Sequence, residues 1–95
     1  SRFASWDGPD RPLNMAGFRR VEKDPLTGEE YTLFHILPEG WREMCRGFSP
    51  ARAARLCLEA KCLLPGSEGK YQSQVRLPEI GKARVYRLTS RILSI

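Results

Sequence analysis

Residues 38–50 read Pro-Glu-Gly-Trp-Arg-Glu-Met-Cys-Arg-Gly-Phe-Ser-Pro and predict two helices joined by a short turn. Pro38 suits the first position of a helix, where its missing N–H is not needed. Gly47 suits the end of that helix, and Ser49 followed by Pro50 forms a good N-cap and first residue for a second one. The first helix is predicted over residues 38–46. Its apolar stripe, at i, i+3, i+4 and i+7, consists of Trp41, Met44, Cys45 and Phe48.

The second helix is predicted over residues 50–62. Arg52 and Arg55 are one turn apart with Glu59 on the same face, so the two arginines should project together into solvent. The opposite, apolar face consists of Ala53, Leu56, Cys57, Ala60 and Leu64.

A predicted hairpin lies on each side of the helix pair. Before it, strand-forming residues at 18–21 and 29–37 flank the turn-forming stretch 24–28. After it, residues 70–77 alternate strictly between polar and apolar, and the turn 78–81 leads into a partner strand at 82–89. Residues 1–16 lack an apolar period and are expected to form an irregular arm, which Phe3 and Trp6 could anchor.

These elements predict one α+β domain over residues 17–95. An N-terminal β-hairpin, a two-helix helix-turn-helix and a basic C-terminal β-hairpin are winged-helix-like in outline. Such a helix pair commonly binds nucleic acid, but it also occurs as a scaffold or as a protein-docking module.

Positive charge is concentrated at the end of the chain. Residues 1–69 contain ten basic and ten acidic side chains, whereas residues 70–95 contain six basic side chains and only Glu79 as an acid. The net charge of +5 therefore comes from the last 26 residues. Charge of one sign attracts polyanions and suits phosphate contacts. The alternative is a solvated sheet edge whose charges prevent aggregation.

Arginine is well suited to DNA, because its guanidinium binds phosphate and pairs with guanine edges. Trp41 and Phe48 are expected in the core because of their helical spacing, whereas the exposure of Tyr71 and Tyr86 stays open. The predicted DNA-contacting residues are Arg52, Arg55, Lys70, Arg76, Lys82, Arg84 and Arg87.

No residue pattern predicts catalysis or a cofactor. His35 is the only histidine and lies in an apolar strand, so a core role is expected. The stretch 66–70 lacks the first Gly and the final Ser or Thr of a phosphate-binding loop. We therefore expect a non-enzymatic domain with no metal, no cofactor and no small-molecule substrate.

The cysteines favour a reducing, cytoplasmic environment. Cys45, Cys57 and Cys62 are odd in number and have no C-x-x-C spacing, so buried, reduced and unmetallated thiols are expected. The longest uncharged, mainly apolar run, residues 31–38, is far shorter than the ~20 residues of a membrane span. Because residue 1 is Ser, we expect a piece of a longer protein.

Short sequence elements along nearly the whole chain resemble a known family. They are Asp7-Gly8, Arg11-Pro12, Ala16-Gly17-Phe18-Arg19, Ile36-Leu37-Pro38-Glu39, the stretch Cys45 to Pro50, Leu64-Pro65-Gly66, Arg76 to Gly81, and Arg84-Val85-Tyr86. In this order they resemble the C-terminal region of phage and plasmid-type helicase/primase proteins, which contain a superfamily-3-like ATPase module. The family's ATP-binding motif has no counterpart here. The resemblance implies an accessory domain of a DNA-processing protein.

Two functions follow as expectations. The first is non-catalytic binding of DNA, single- or double-stranded, by an accessory domain of a helicase or primase. The second is docking to other domains of such a parent protein, or oligomerisation, without contact to nucleic acid.

Overall fold

One mixed sheet of six strands and two α-helices make up the part of the chain that the computed structural model describes, residues 2–9, 11–12 and 14–90. The predicted α+β class is confirmed. In chain order the elements are β1 (Phe3–Ser5), β2 (Gly17–Lys23), β3 (Glu30–Ile36), α1 (Pro38–Met44), α2 (Pro50–Glu59), β4 (Leu63–Leu64), a 3₁₀ turn (Ser67–Gly69), β5 (Ser73–Leu77) and β6 (Gly81–Thr89). Neither helix is long and apolar enough to cross a membrane.

The two predicted hairpins are joined in one sheet. Its strand order is β1-β2-β3-β6-β4, and β5 also pairs with β6. β1 runs parallel to β2, and all other pairs are antiparallel. The second half of β6 pairs with β3, placing Tyr86 opposite Ile36, whereas its first half, residues 81–85, pairs with β5. The C-terminal hairpin therefore extends from the central sheet through β6.

A separate core lies on each face of the sheet. On the face covered by the helices, here called the helical face, the buried cluster is Ile36, Trp41, Cys45, Ala54 and Leu63. On the opposite face it is Ala4, Phe18, Leu77 and Val85. Leu77 of β5 and Val85 of β6 belong to this second cluster, so one side of the C-terminal hairpin packs against β1 and β2. Because side chains alternate along a strand, the other side of the hairpin faces the same way as the helical face.

The helix junction uses the predicted cap chemistry. Gly47 has a φ of +90°, which a residue without Cβ adopts readily. The Ser49 hydroxyl accepts a hydrogen bond from the Arg52 backbone N–H at 3.3 Å, and Pro50 begins α2. Both helices end earlier than predicted, at Met44 and Glu59, so residues 45–49 separate them.

The predicted apolar stripes are only partly buried. Trp41 and Cys45 lie in the core, but Met44, Phe48 and Leu56 are 52%, 78% and 54% exposed. The expectation that Phe48 belongs to the core is wrong, because α1 ends before it and the turn at Gly47 redirects the chain. In α2 the fully buried residue is Ala54.

The N-terminal segment belongs to the sheet, although residues 1–16 were expected to be irregular. Phe3–Ser5 forms β1, and Ala4 is buried. Phe3 packs on Phe34 in an edge-to-face arrangement, and Trp6 packs in the same way on Phe18. The predicted anchoring by Phe3 and Trp6 is confirmed. Arg91, which contributes to the positive charge of the last 26 residues, lies outside the described residues.

Candidate nucleic-acid interface

The outward side of the C-terminal hairpin carries four exposed polar side chains in two cross-strand pairs. Arg76 of β5 lies opposite Lys82 of β6, and Gln74 lies opposite Arg84. Directly opposed residues share a face in an antiparallel pair, so all four project from the same side. We call Gln74, Arg76, Lys82 and Arg84 the basic face. The predicted alternation over residues 70–77 is confirmed only for 73–77, where Ser73 and Leu77 are buried on the other side. The strand begins at Ser73, and Tyr71 packs against the helical-face cluster and not beside Leu77.

The described residues do not neutralise the charges of the basic face. Arg76, Lys82 and Arg84 form no ion pair with any described residue. Like charges in opposed positions, such as Arg76 and Lys82, destabilise a sheet. Glu79, the one acid of the hairpin, lies at its turn and pairs with Arg11 of the N-terminal segment at 3.2 Å. The hairpin therefore presents a surface of almost purely positive charge.

A cleft opens between the basic face and the loop of residues 67–72 that precedes β5. Its volume is about 260 Å³, and Tyr86, on the same face of β6 as Arg84, forms part of it. Tyr71 and Tyr86 are both half-buried, which answers the question of exposure that the sequence left open. The residues that line the cleft are Ser67, Lys70, Tyr71, Gln72, Gln74, Arg84 and Tyr86.

Arg87 does not belong to this surface. It follows Tyr86 by one residue and so lies on the opposite face of β6. Its Nε donates a hydrogen bond to the Ser73 Oγ and its Nη2 donates to the Pro65 carbonyl oxygen, both at 2.9 Å. The prediction that Arg87 shares one continuous surface with Arg76, Lys82 and Arg84 is wrong, because its guanidinium holds β5 and the preceding loop to β6 from the opposite face.

Arg52 and Arg55 are exposed on α2, and the helices lie on the same side of the sheet as the basic face. Arg52 lines a separate surface depression with Phe48 and Leu56. The remaining predicted residues therefore form two groups. Arg76, Lys82 and Arg84 share the basic face and Lys70 lines the adjoining cleft, whereas Arg52 and Arg55 lie on α2. Gln74, Tyr71 and Tyr86 were not predicted as contacts, although the period of two along each strand places Gln74 with Arg76, and Tyr86 with Arg84.

His35 is a buried core residue, as predicted, but its buried Nδ1 has no hydrogen-bond partner among the described residues, whereas a satisfied histidine was expected. Only 4% of the His35 surface is exposed, and the residue lies on the sheet face opposite the helices, where its ring contacts the Trp6 ring. Burial, followed by the nearby charges of Arg87 and Arg20, lowers its pKa from 6.5 to about 4. The imidazole is thus neutral at pH 7.

The three cysteines have free thiols and lie in or next to the core of the helical face. Cys45 and Cys62 are buried and Cys57 is half-buried, so the predicted burial is confirmed for the first two. Burial, helped by a hydrogen bond with Cys62, raises the pKa of the Cys57 thiol to about 11. Among the described residues, no group of three or more histidine, cysteine or acidic side chains is placed to hold a metal ion.

No protein-family model, curated protein or solved structure matches this chain. Its function is therefore inferred from the chemistry of the surfaces described above.

Proposed function

We propose that this domain binds DNA without catalysis, through the basic face of the C-terminal hairpin. The observation that carries this proposal is the pairing of Arg76 with Lys82 on an exposed face where neither forms an ion pair with a described residue. Two directly opposed cations destabilise a sheet, and a phosphate placed between them relieves the repulsion and forms charge-assisted hydrogen bonds to both. Guanidinium and ammonium groups bind phosphate without exchanging protons, which fits binding rather than turnover.

The finer architecture and the parent protein are part of the same proposal. Two helices separated by a short turn and followed by a basic hairpin support a winged-helix-like reading, in which the hairpin contacts the DNA backbone. The sequence resemblance suggests that the parent is a phage or plasmid-type helicase or primase. The odd number of cysteines suggests that it acts in the cytoplasm.

The test is a fluorescence-anisotropy titration of labelled single- and double-stranded DNA at several salt concentrations. Replacing Arg76 and Arg84 together by alanine removes two phosphate contacts. The slope of log affinity against log salt should flatten by about 1.4 units on single strands or about 1.8 units on duplex. Since phosphate contacts carry no sequence information, the loss should be similar for every DNA sequence.

The matched control replaces Lys23 and Arg42, two exposed cations on β2 and α1, by alanine. This variant loses the same net charge as the test variant. Because neither residue lies on the hairpin, it should retain the wild-type salt slope if the hairpin is the interface. Equal flattening in both double variants would show that the domain attracts DNA only by its overall charge. No binding at low salt by the folded wild-type domain would reject the proposal.

A second candidate function, protein docking, is favoured by an exposed apolar patch beside the helix junction. Phe48 and Leu56, together with Arg52, line a depression of about 490 Å³. Arg52 lines the depression, and the exposed Arg46 and Arg55 are sequence neighbours of its lining residues Gly47 and Leu56; none of the three arginines forms an ion pair with any described residue. An apolar patch bordered by unpaired cations fits an acidic amphipathic segment of the parent protein.

A labelled helical peptide with leucine on one face and glutamate on the other serves as the probe for this second candidate. Phe48→Ala with Leu56→Ala should abolish its binding and leave DNA affinity unchanged. The control pair is Val21→Ala with Leu26→Ala, because those two side chains are also exposed. A failure of the peptide to bind the wild-type domain would reject docking of this chemistry.

A further inference from the structure

We infer that the cleft beside the basic face receives one base of single-stranded DNA, with Tyr71 and Tyr86 as its aromatic walls. This inference rests on the proposed function and adds the class of substrate: an unpaired strand rather than a duplex. The cleft adjoins the basic face through Gln74 and Arg84, which belong to both. A strand whose phosphates follow the basic face is therefore led directly to the cleft.

The Tyr86 ring is held in place before any ligand arrives. One side of it stacks on the Trp41 indole, with ring centroids 4.6 Å apart and an interplanar angle of 16°. Trp41 is in turn fixed by a hydrogen bond of 3.0 Å from its Nε1 to the Pro50 carbonyl oxygen. A side chain that is already ordered loses little entropy on binding, which favours its use as a contact for a planar group.

The loop that carries Lys70 and Tyr71 is also fixed. The Gly66 N–H donates a hydrogen bond of 2.7 Å to the Lys70 carbonyl oxygen, closing the loop around the 3₁₀ turn. A Cβ at Gly66 would lie 2.0 Å from the Gln72 carbonyl oxygen, so the loop is packed closely against the start of the hairpin. Lys70 thus stands at the cleft on a defined backbone.

The size and chemistry of the cleft fit one nucleobase with its phosphates. A volume of about 260 Å³ is below the ~300–1,000 Å³ of pockets for larger ligands. The amides of Gln72 and Gln74 supply both donors and acceptors for the edge of a base. Lys70 and Arg84 supply positive charge for the flanking phosphates. In a duplex the bases are already stacked and paired, so only an unpaired or extruded base can enter.

The experiment compares two oligonucleotides of equal charge in anisotropy titrations with the whole domain. One is a thymidine strand of about 12 nucleotides, and the other is the same backbone without bases. Base stacking on an aromatic side chain contributes about 1–3 kcal/mol, so the wild-type domain should bind the thymidine strand about 5- to 150-fold more tightly. A duplex of the same length should bind more weakly than the single strand.

Tyr71→Ala should reduce this difference between the two strands while leaving the salt slope unchanged, and Tyr71→Phe should preserve the difference. Tyr86 is left intact in these variants because it packs on Trp41. The wild-type comparison needs no mutant and stays informative even if Tyr71→Ala fails to fold.

The possible outcomes separate the two proposals. Equal affinity for the thymidine and the abasic strand would overturn the role of the cleft while leaving phosphate binding by the basic face intact. Tighter binding of the duplex would overturn the assignment to single strands. Absence of binding to all three ligands would overturn the proposed function, and with it the role of the cleft.

Discussion

Replacing Trp41 by alanine should destabilise the domain far more than replacing Phe48, although the sequence places both on one apolar stripe. Trp41 is 3% exposed, stacks on Tyr86 and bonds to the Pro50 carbonyl oxygen, whereas Phe48 is 78% exposed. Removing a buried Trp costs about 3–5 kcal/mol, and a surface substitution usually changes stability by less than about 0.5 kcal/mol. A domain of this size is stable by about 5–14 kcal/mol, so the loss of Trp41 removes a large share.

Thermal unfolding followed by circular dichroism measures this difference. A loss of about 3 kcal/mol in a domain of this size lowers Tm by at least about 12 °C, whereas Phe48→Ala should shift it by no more than about 4 °C. Trp41→Phe retains a ring against Tyr86 and loses the indole hydrogen bond, so it should fall between the two. Similar losses for Trp41→Ala and Phe48→Ala would show that α1 continues through Phe48 and that the helix boundary described here is wrong.

Three further predictions concern stability and thiol chemistry. Because the pKa of His35 is lowered in the folded state, the unfolded state binds more protons between pH 6.5 and about 4. The free energy of unfolding, measured by urea titration, should therefore decrease as the pH is lowered through this range, by up to about 1.4 kcal/mol per pH unit. His35→Phe should flatten this dependence, and an unchanged slope would contradict the prediction. Arg87→Ala leaves two acceptors without their donor and should cost about 1–3 kcal/mol, whereas the exposed Arg84→Ala should cost less than about 0.5 kcal/mol; equal costs in urea titrations would refute the structural role of Arg87. The raised pKa of Cys57 predicts slow alkylation by iodoacetamide at pH 8 in the native protein and much faster alkylation in urea, and equal rates would oppose it.

Local patterns predicted the elements of this fold well but not their assembly. Pro38, Gly47, Ser49 and Pro50 have backbone requirements that act over a few residues, so the helix junction could be located from the sequence. The alternation over residues 70–77 likewise located a strand and its polar face, although the strand begins at Ser73, three residues later than predicted. The joining of both hairpins into one sheet depends on the pairing of β3 with β6, which no local pattern encodes.

Burial was the weaker part of the prediction. A helical stripe shows which side is apolar, but it does not show how much of that side a neighbour covers, and Met44 and Leu56 remain exposed for this reason. β1 was missed because three residues are too few to show a period.

The candidate site was predictable in composition and only partly in geometry. Charge counting located the basic hairpin, and the strand period placed Arg76, Lys82 and Arg84 on one side. The same period assigns Arg87 to the other side, but its hydrogen bonds to Ser73 and Pro65 depend on tertiary packing. The cleft of Tyr71 and Tyr86 likewise requires the contact of β6 with Trp41 on α1, which only the folded chain supplies.

The most direct test of the central claim, that the outward side of the C-terminal hairpin is the DNA interface, is a chemical-shift titration of the ¹⁵N-labelled domain with a short thymidine oligonucleotide at low salt. The largest changes should map to residues 70–77 and 81–86, with little change at Lys23 on the far hairpin. Changes centred on residues 46–56, or no changes at all, would contradict the assignment of DNA binding to the basic face.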